Sequence, residues 1–166
     1  MTISLNINNN YFHSVLRVCN LLLLCFFSNE NIFAQNYSEN DILGLYHVVD
    51  IFSDDESVIE IYKENDKFYG KVLKIKIYEN GKKTNDSKII NISDNEPMVI
   101  FKDFEFDPNK NRWVNGSIVN PKNDKVYKAY IEIENDQEII LKGYVGVKLF
   151  GLSMKLQRIN KDNYPF

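Results

Sequence analysis

The chain has 166 residues, of which 44% are hydrophobic, 26% charged and 13% aromatic. This composition is typical of one ordinary globular domain and excludes a disordered or fibrous chain. The 20 lysines and arginines against 23 aspartates and glutamates give a formal net charge of -3. Because such a chain has no excess of positive charge, we expect no nucleic-acid partner and no binding to an anionic membrane surface.

Residues 1–34 have the layout of a secretory signal peptide. Arg17 precedes an apolar run over residues 18–27, and a polar stretch then leads to Ala34. Such a signal peptide has a positively charged start, a short apolar centre and a small residue at the cleavage site. Because the run is about ten residues and a membrane-spanning helix needs roughly 20, we predict cleavage after Ala34 and no permanent membrane span. The mature protein would then be periplasmic or secreted.

Both cysteines of the chain, Cys19 and Cys25, lie in this leader. A lipid anchor at Cys25 is not expected, because Leu24 occupies the position where lipid attachment needs a small residue. The mature chain has no cysteine, so it cannot use disulfides, thiolate metal sites or a cysteine nucleophile. Packing must supply its stability.

From residue 41 onward the dominant hydrophobic period is two, which is typical of half-buried strands. Tyr127, Ala129 and Ile131, for example, alternate with Lys128 and Tyr130. No window shows a helical stripe, so we predict one all-β domain over residues 41–160, between a linker at 35–40 and a tail at 161–166. The pattern predicts about eight strands, over residues 43–49, 58–63, 67–78, 98–106, 112–120, 127–134, 139–145 and 154–159.

Most predicted strands are separated by short segments with turn chemistry, which favours antiparallel hairpins. A single antiparallel up-and-down β-barrel is the expected architecture, because closure removes the exposed edges that a meander would leave. The exception is the polar stretch at residues 80–97. It is long enough to cover one end of a barrel or to include a short helix, and we predict a lid or partner loop there.

Closure brings the first and last strands together. Gly44 and Tyr46 lie on the first strand and Arg158 lies on the last, so we predict that Arg158 lies over the Tyr46 ring. An arginine over an aromatic face contributes about 0.5 to 2 kcal/mol. The arrangement is similar to that of lipocalins, where a Gly-x-Trp near the start packs against an arginine near the end. Here Tyr46 replaces the tryptophan.

A series of short motifs runs along the predicted domain. These motifs are Gly44-Leu45-Tyr46, Ile59-Glu60-Ile61-Tyr62, Phe68-Tyr69-Gly70-Lys71-Val72, Trp113 with Gly116-Ser117-Ile118, Asn120-Pro121, Val126-Tyr127-Lys128-Ala129, Leu141-Lys142-Gly143-Tyr144 and Gln157-Arg158. In order and spacing they resemble an uncharacterised bacterial family, domain of unknown function 2147. The resemblance covers nearly all of residues 41–159 and implies an exported single domain with a lipocalin-like barrel and no established activity. The chain departs from the family pattern at Tyr46, in residues 80–97, and at Asn123-Asp124, where an Asp-Gly turn is usual.

Candidate catalytic residues are few. Histidine is the side chain most often recruited for acid-base chemistry near neutral pH, and the predicted mature domain has one, His47. If Tyr46 faces inward, alternation points His47 outward, as an ordinary half-exposed strand residue. The same alternation places Glu132 and Glu134 on the outer face, away from any cleft that glycoside hydrolysis would need. Glu60 also lies on a predicted strand. We therefore predict no catalytic residue in this chain.

No metal or cofactor site is predicted either. The acidic clusters Asp54-Asp55-Glu56 and Asp94 with Glu96 lack the spacing and the glycine of a calcium loop, so they are interpreted as solvated turns. The sequence contains no glycine-rich phosphate loop and no nucleophile elbow.

Aromatic and aliphatic side chains remain as candidates for ligand contact. An eight-stranded barrel is either filled by its own side chains or holds one small ligand; the inward side chains are large, which favours a filled interior. Two functions stay open: an exported binding module for a small apolar ligand, or an accessory domain with a filled barrel and an unknown protein partner. A connected apolar cavity of about 300 Å³ or more would favour the first. The candidate ligand-lining residues are Tyr46, Phe68, Trp113, Tyr127, Ile131 and Leu141.

Overall fold

The computed structural model of the protein describes residues 35–50, 53–121, 123–144 and 151–166. Residues 36–166 form one compact unit. The predicted signal peptide, its cleavage after Ala34 and the two cysteines lie outside the described residues. None of the described helices is long and apolar enough to cross a membrane.

The described part of the chain contains strands and two short 3-10 turns, Glu39–Ile42 and Glu79–Gly81. The alternating pattern produces strands because each one buries a single face against the interior. The strands are β1 (Gly44–Val49), β2 (Glu56–Glu64), β3 (Lys67–Tyr78), β4 (Ser87–Asn91), β5 (Met98–Asp107), β6 (Arg112–Val119), β7 (Val126–Asn135), β8 (Glu138–Tyr144) and β9 (Gly151–Ile159).

Eight of these strands close into an antiparallel barrel. Each strand pairs with its neighbour in chain order, except that β3 passes directly to β5, and β1 pairs with β9 to complete the ring. The register sets Tyr46 opposite Arg158 across the closing pair. The predicted all-β, eight-stranded up-and-down barrel is confirmed.

The ninth strand, β4, is an addition to the barrel that the sequence pattern did not reveal. It pairs with the second half of β3, where Lys74 lies opposite Asn91 and Tyr78 opposite Ser87, while the first half of β3 pairs with β5. Residues 80–97 were expected to form a loop or a short helix, and they instead contain this strand. Because β4 is mostly exposed, its sequence carries no alternation of apolar and polar residues.

The two ends of the barrel differ. The closed end carries the β2–β3, β5–β6 and β7–β8 turns and is covered by the 3-10 turn Glu39–Ile42, whose Ile42 is fully buried. Large side chains fill it, and Gly116 is required there because a Cβ atom would lie 2.3 Å from the Phe104 ring. At the open end β1, β6 and β8 finish and β2, β7 and β9 begin.

Candidate functional site

Barrel closure is built around Arg158. Its guanidinium carbon lies 5.0 Å from the centroid of the Tyr46 ring. The same guanidinium donates hydrogen bonds to the carbonyl oxygens of Leu43, at 2.8 Å, and Asp41, at 2.6 Å. Gly44 has a φ of +141°, and a Cβ atom there would lie 2.9 Å from Arg158 Nη1. A glycine at this position therefore lets the arginine reach both the aromatic face and the backbone.

Two aromatic side chains tie the 3-10 turn to the closed end. Tyr46 Oη donates to the carbonyl of Ile42 at 2.7 Å, and Trp113 Nε1 donates to the carbonyl of Glu39 at 3.1 Å. Burial raises the pKa of Tyr46 to about 12, although the nearby Arg158 lowers it in part. The phenol therefore keeps its proton, and the hydrogen bond, throughout the physiological pH range.

Most of the aromatic residues predicted to line a ligand site are packed in the closed end of the barrel. The Trp113 ring lies edge-on to Phe68 at 6.3 Å between centroids. Trp113, Tyr46, Phe68 and Ile131 are all at most 1% exposed. These four predicted ligand-lining residues form the filled core of the closed end, and none of them borders the cavity described next.

The open end of the barrel contains a cavity of about 570 Å³. Two of the six predicted ligand-lining residues, Tyr127 and Leu141, line this cavity. It is open because several inward positions here carry small side chains, such as Val48, Val72 and Gly143. The lining is Val48, Asp50, Ser57, Ile59, Val72, Ile75, Met98, Ile100, Phe101, Ile118, Val119, Asn120, Pro121, Tyr127, Leu141, Gly143, Tyr144, Gly151, Leu152 and Met154.

The lining is mainly aliphatic, with two methionines, Met98 and Met154. Methionine is flexible and polarisable, so it can adapt to ligands of different shape. Sequence reasoning missed most of these residues because it chose a few of the larger aromatic and aliphatic side chains as candidates. The signal that could have found them is the alternation of β1, β2 and β3, whose inward positions include Val48, Ile59 and Val72.

Residues 80–97, predicted to form a lid or partner loop, contribute no residue to the described lining of the cavity. The segment instead packs outside the barrel through β4. Its Asp94 carboxylate lies 3.6 Å from Lys71 Nζ on β3.

The single histidine of the described residues lies on the outer surface, not in the cavity. His47 Nε2 is 2.7 Å from Glu56 Oε2, and Tyr78 Oη donates to Glu56 Oε1 at 2.5 Å. Burial would raise the pKa of Glu56, but the hydrogen bonds from Tyr78 and His47, with the charge of Lys83, lower it overall. The histidine thus belongs to a polar network that fixes β1, β2 and β3 from outside.

The other carboxylates considered as catalytic or metal-binding groups are held by neighbours on the same outer face or in turns. Glu132 lies 3.0 Å from Arg112 Nη1 and 2.6 Å from Lys142 Nζ. Glu60 lies 3.2 Å from Lys71 Nζ, and Asp54 accepts a hydrogen bond from the Lys83 amide. Among the residues that the structure describes, no three histidine, cysteine or acidic side chains are grouped to hold a metal ion.

A closed eight-stranded antiparallel barrel with an apolar cavity at one end defines the lipocalin-like class of folds. The chain belongs to the family described as "Uncharacterized protein conserved in bacteria (DUF2147)", whose sequence profile matches residues 44–158. This match confirms the resemblance seen in the motifs.

One similar solved structure is that of protein HP1028 from Helicobacter pylori, described as belonging to the lipocalin family. It is 19% identical in sequence, covers 73% of this chain and 84% of its own, and gives a TM-score of 0.54. At that identity the likeness shows the fold alone. No curated protein matches the chain.

Proposed function

We propose that the protein binds a small apolar ligand in the cavity at the open end of the barrel. The observation that carries this proposal is the size and chemistry of that cavity, about 570 Å³ with a mainly aliphatic lining. Pockets that enclose small molecules typically measure about 300 to 1,000 Å³ and combine an apolar wall with a few polar groups. Each buried CH₂ group of a ligand would contribute about 0.8 kcal/mol.

The alternative function, an accessory domain with a filled barrel and no ligand, has less support. It requires inward side chains that meet across the whole interior. The closed end is packed in this way around Trp113, but the open end leaves space for a guest molecule.

We propose that binding is not coupled to catalysis. The described lining contains one carboxylate, Asp50, and no histidine or lysine. General acid-base chemistry needs a proton donor or acceptor within about 3 Å of the reacting group and usually a partner that orients it. Within the described part of the chain, His47 forms a histidine-carboxylate pair with Glu56, and this pair faces the outer surface instead.

The binding proposal is tested by fluorescence titration with N-phenylnaphthylamine, a neutral apolar probe whose emission rises in an apolar site. We expect saturable binding of one probe per chain. Val48→Phe should weaken it by about tenfold or more, which corresponds to about 1.4 kcal/mol, because the larger side chain projects into the cavity and narrows it.

Val49→Phe is the matched control for this titration. Val49 is the next residue on β1, faces outward and is 46% exposed. Its variant should bind the probe within about twofold of the unchanged protein, since one exposed substitution alters the cavity little. Equal affinity of the probe for Val48→Phe and the unchanged protein would contradict the proposal.

We further propose that the protein acts outside the cytoplasm. The support is the sequence of residues 1–34, with a short apolar run between Arg17 and Ala34. Mass spectrometry of the protein recovered from its host's periplasmic or secreted fraction should find a chain that begins at Gln35. Recovery of the chain with residues 1–34 intact from the cytoplasmic fraction would contradict export.

A further inference from the structure

Every sulfur atom of residues 36–166 belongs to the cavity wall. The chain has three methionines and two cysteines, and of these only Met98 and Met154 fall within the compact unit. Both of them line the cavity at the open end. Because cysteine and methionine are the side chains that oxidants convert to sulfur oxides, sulfur oxidation in this unit can occur only at the cavity wall.

The two methionines lie on opposite sides of the barrel. Met98 is the first residue of β5, and Met154 lies within β9. In the ring of strands, β6, β7 and β8 separate β5 from β9 on one side, and β1, β2 and β3 separate them on the other. A ligand that fills the cavity would therefore lie between the two side chains.

Each methionine is partly accessible although it pairs with a deeply buried residue. The register sets Met98 opposite Val72, which is 3% exposed, and Met154 opposite Leu141, which is 0% exposed. Met98 and Met154 themselves are half-buried and pack against the core. Each can therefore be reached by a small oxidant while it forms part of a mainly aliphatic wall.

We infer that Met98 and Met154 are modification sites, which a peroxide oxidises to methionine sulfoxide, and that the oxidised cavity releases its apolar ligand. The release rests on the proposed function, because it concerns the ligand of the same cavity. Oxidation converts a flexible apolar side chain into a polar one. Covering the new S=O group with a hydrocarbon ligand removes it from water without supplying a hydrogen-bond donor, which is unfavourable.

The reaction transfers one oxygen atom from the peroxide to the thioether. The sulfur attacks one oxygen of hydrogen peroxide, so that a sulfur–oxygen bond forms and the O–O bond breaks. The proton on the transferred oxygen passes to the departing hydroxide, which leaves as water. The sulfur loses two electrons, and the peroxide is reduced by the same two electrons.

Peptide mass spectrometry of the full chain after treatment with hydrogen peroxide at pH 7 tests the modification. N-acetylmethionine in the same sample is the reference for a fully exposed thioether. We expect one added oxygen at Met98 and one at Met154. Both should react at a rate within about tenfold of the reference, because susceptibility follows exposure and both residues are half-buried.

The effect on binding is measured as a ratio of two dissociation constants for N-phenylnaphthylamine, after and before oxidation, with the peroxide removed before the titration. For the unchanged chain we expect a ratio of about ten or more, since polar groups now face an apolar probe. Trp113, the single tryptophan, is 0% exposed in the closed end. Its emission should not change on oxidation, because the barrel stays folded.

The matched control is the chain in which Met98→Leu and Met154→Leu are combined. Leucine is close to methionine in volume, which makes the exchange tolerable in a packed wall, and it has no sulfur to oxidise. Its ratio of dissociation constants should stay within about twofold of one, whatever its affinity before treatment. Met1 and Trp113 are still present in this variant, so any effect of their oxidation is included in its ratio.

Four results would overturn the inference: no added oxygen at Met98 and Met154 once the reference is fully oxidised, unchanged probe affinity of the oxidised chain, an equal loss of affinity in the leucine variant, or a shift of the Trp113 emission that marks unfolding. In each of them the untreated chain still binds N-phenylnaphthylamine, so the proposed function stands. Absence of probe binding to the untreated chain would instead remove the proposed function and the inferred release with it.

Discussion

Glu56 shows how a single residue of this barrel can be buried, charged and structural at once. Its side chain lies on the outer face of β2 and the residue is only 6% exposed. Contacts with His47, Tyr78 and Lys83 surround the carboxylate from β1, from β3 and from the segment after β3. A buried carboxylate is costly unless it is paired, so this network is expected to contribute to stability only while Glu56 is ionised.

The pH dependence of this contribution has a defined sign. The pKa of Glu56 is lowered in the folded protein from an ordinary value of 4.5. The unfolded chain therefore binds more protons just below that pH, and the stabilisation is lost as the pH falls through the lowered pKa. We expect Glu56→Gln to reduce the free energy of unfolding by about 1 to 3 kcal/mol at pH 7.

The difference in the free energy of unfolding between Glu56→Gln and the unchanged protein should shrink as the pH falls below about 4.5, where the native carboxylate also becomes protonated. Urea unfolding at a series of pH values measures it. Glu64→Gln, an exposed carboxylate at the other end of β2, is the control and should show a small, nearly constant difference. A Glu56→Gln deficit that did not change with pH would contradict the role of the ionised network.

The elements of the barrel differ in how much of them could be predicted. The β7 and β8 strands were predictable because each buries one face, which imposes strict alternation on residues such as Ala129 and Ile131. The β4 strand was not, because both of its faces are largely exposed and its existence depends on hydrogen bonds to β3. A strand that buries neither face leaves little trace in a hydrophobic pattern, even when its partner is the preceding strand.

The 3-10 turn Glu39–Ile42 covers the closed end of the barrel, and its attachment there can be tested through Tyr46. Tyr46→Phe keeps the ring under Arg158 but leaves the buried Ile42 carbonyl without its donor. We expect a loss of about 1 to 3 kcal/mol in the free energy of unfolding. The Leu43 amide, which donates to the Asn40 carbonyl in this turn, should exchange its hydrogen faster.

Tyr69→Phe is the control for this prediction. Its hydroxyl donates to Asp103 at 3.1 Å on the exposed outer face, so its removal should cost less than about 0.5 kcal/mol. If Tyr46→Phe were as stable as Tyr69→Phe and left the exchange of the Leu43 amide unchanged, the turn would not depend on the Tyr46 hydrogen bond.

At the scale of the whole molecule, the barrel combines a filled end and an open end. The large inward side chains predicted a packed interior. The closed end around Trp113 is packed in this way. The cavity could not be predicted in the same way, because its volume depends on which inward residues of different strands share one layer. The register decides this. It places Val48 opposite Ser57 across β1 and β2, where both residues line the cavity. Of the four aromatic candidates, Tyr127 lines the cavity, whereas Tyr46, Phe68 and Trp113 are buried in the closed end.

The central claim is that an apolar ligand enters the open end and leaves the closed end unchanged. Isoleucine δ-methyl NMR spectra recorded during titration with N-phenylnaphthylamine test it most directly, since isoleucines lie in both regions. The isoleucines that line the cavity are Ile59, Ile75, Ile100 and Ile118, and the buried isoleucines elsewhere in the core include Ile42, Ile131 and Ile139. We expect saturable shifts of the first group and little change in the second. Shifts confined to the second group, or no shifts at all, would contradict the claim.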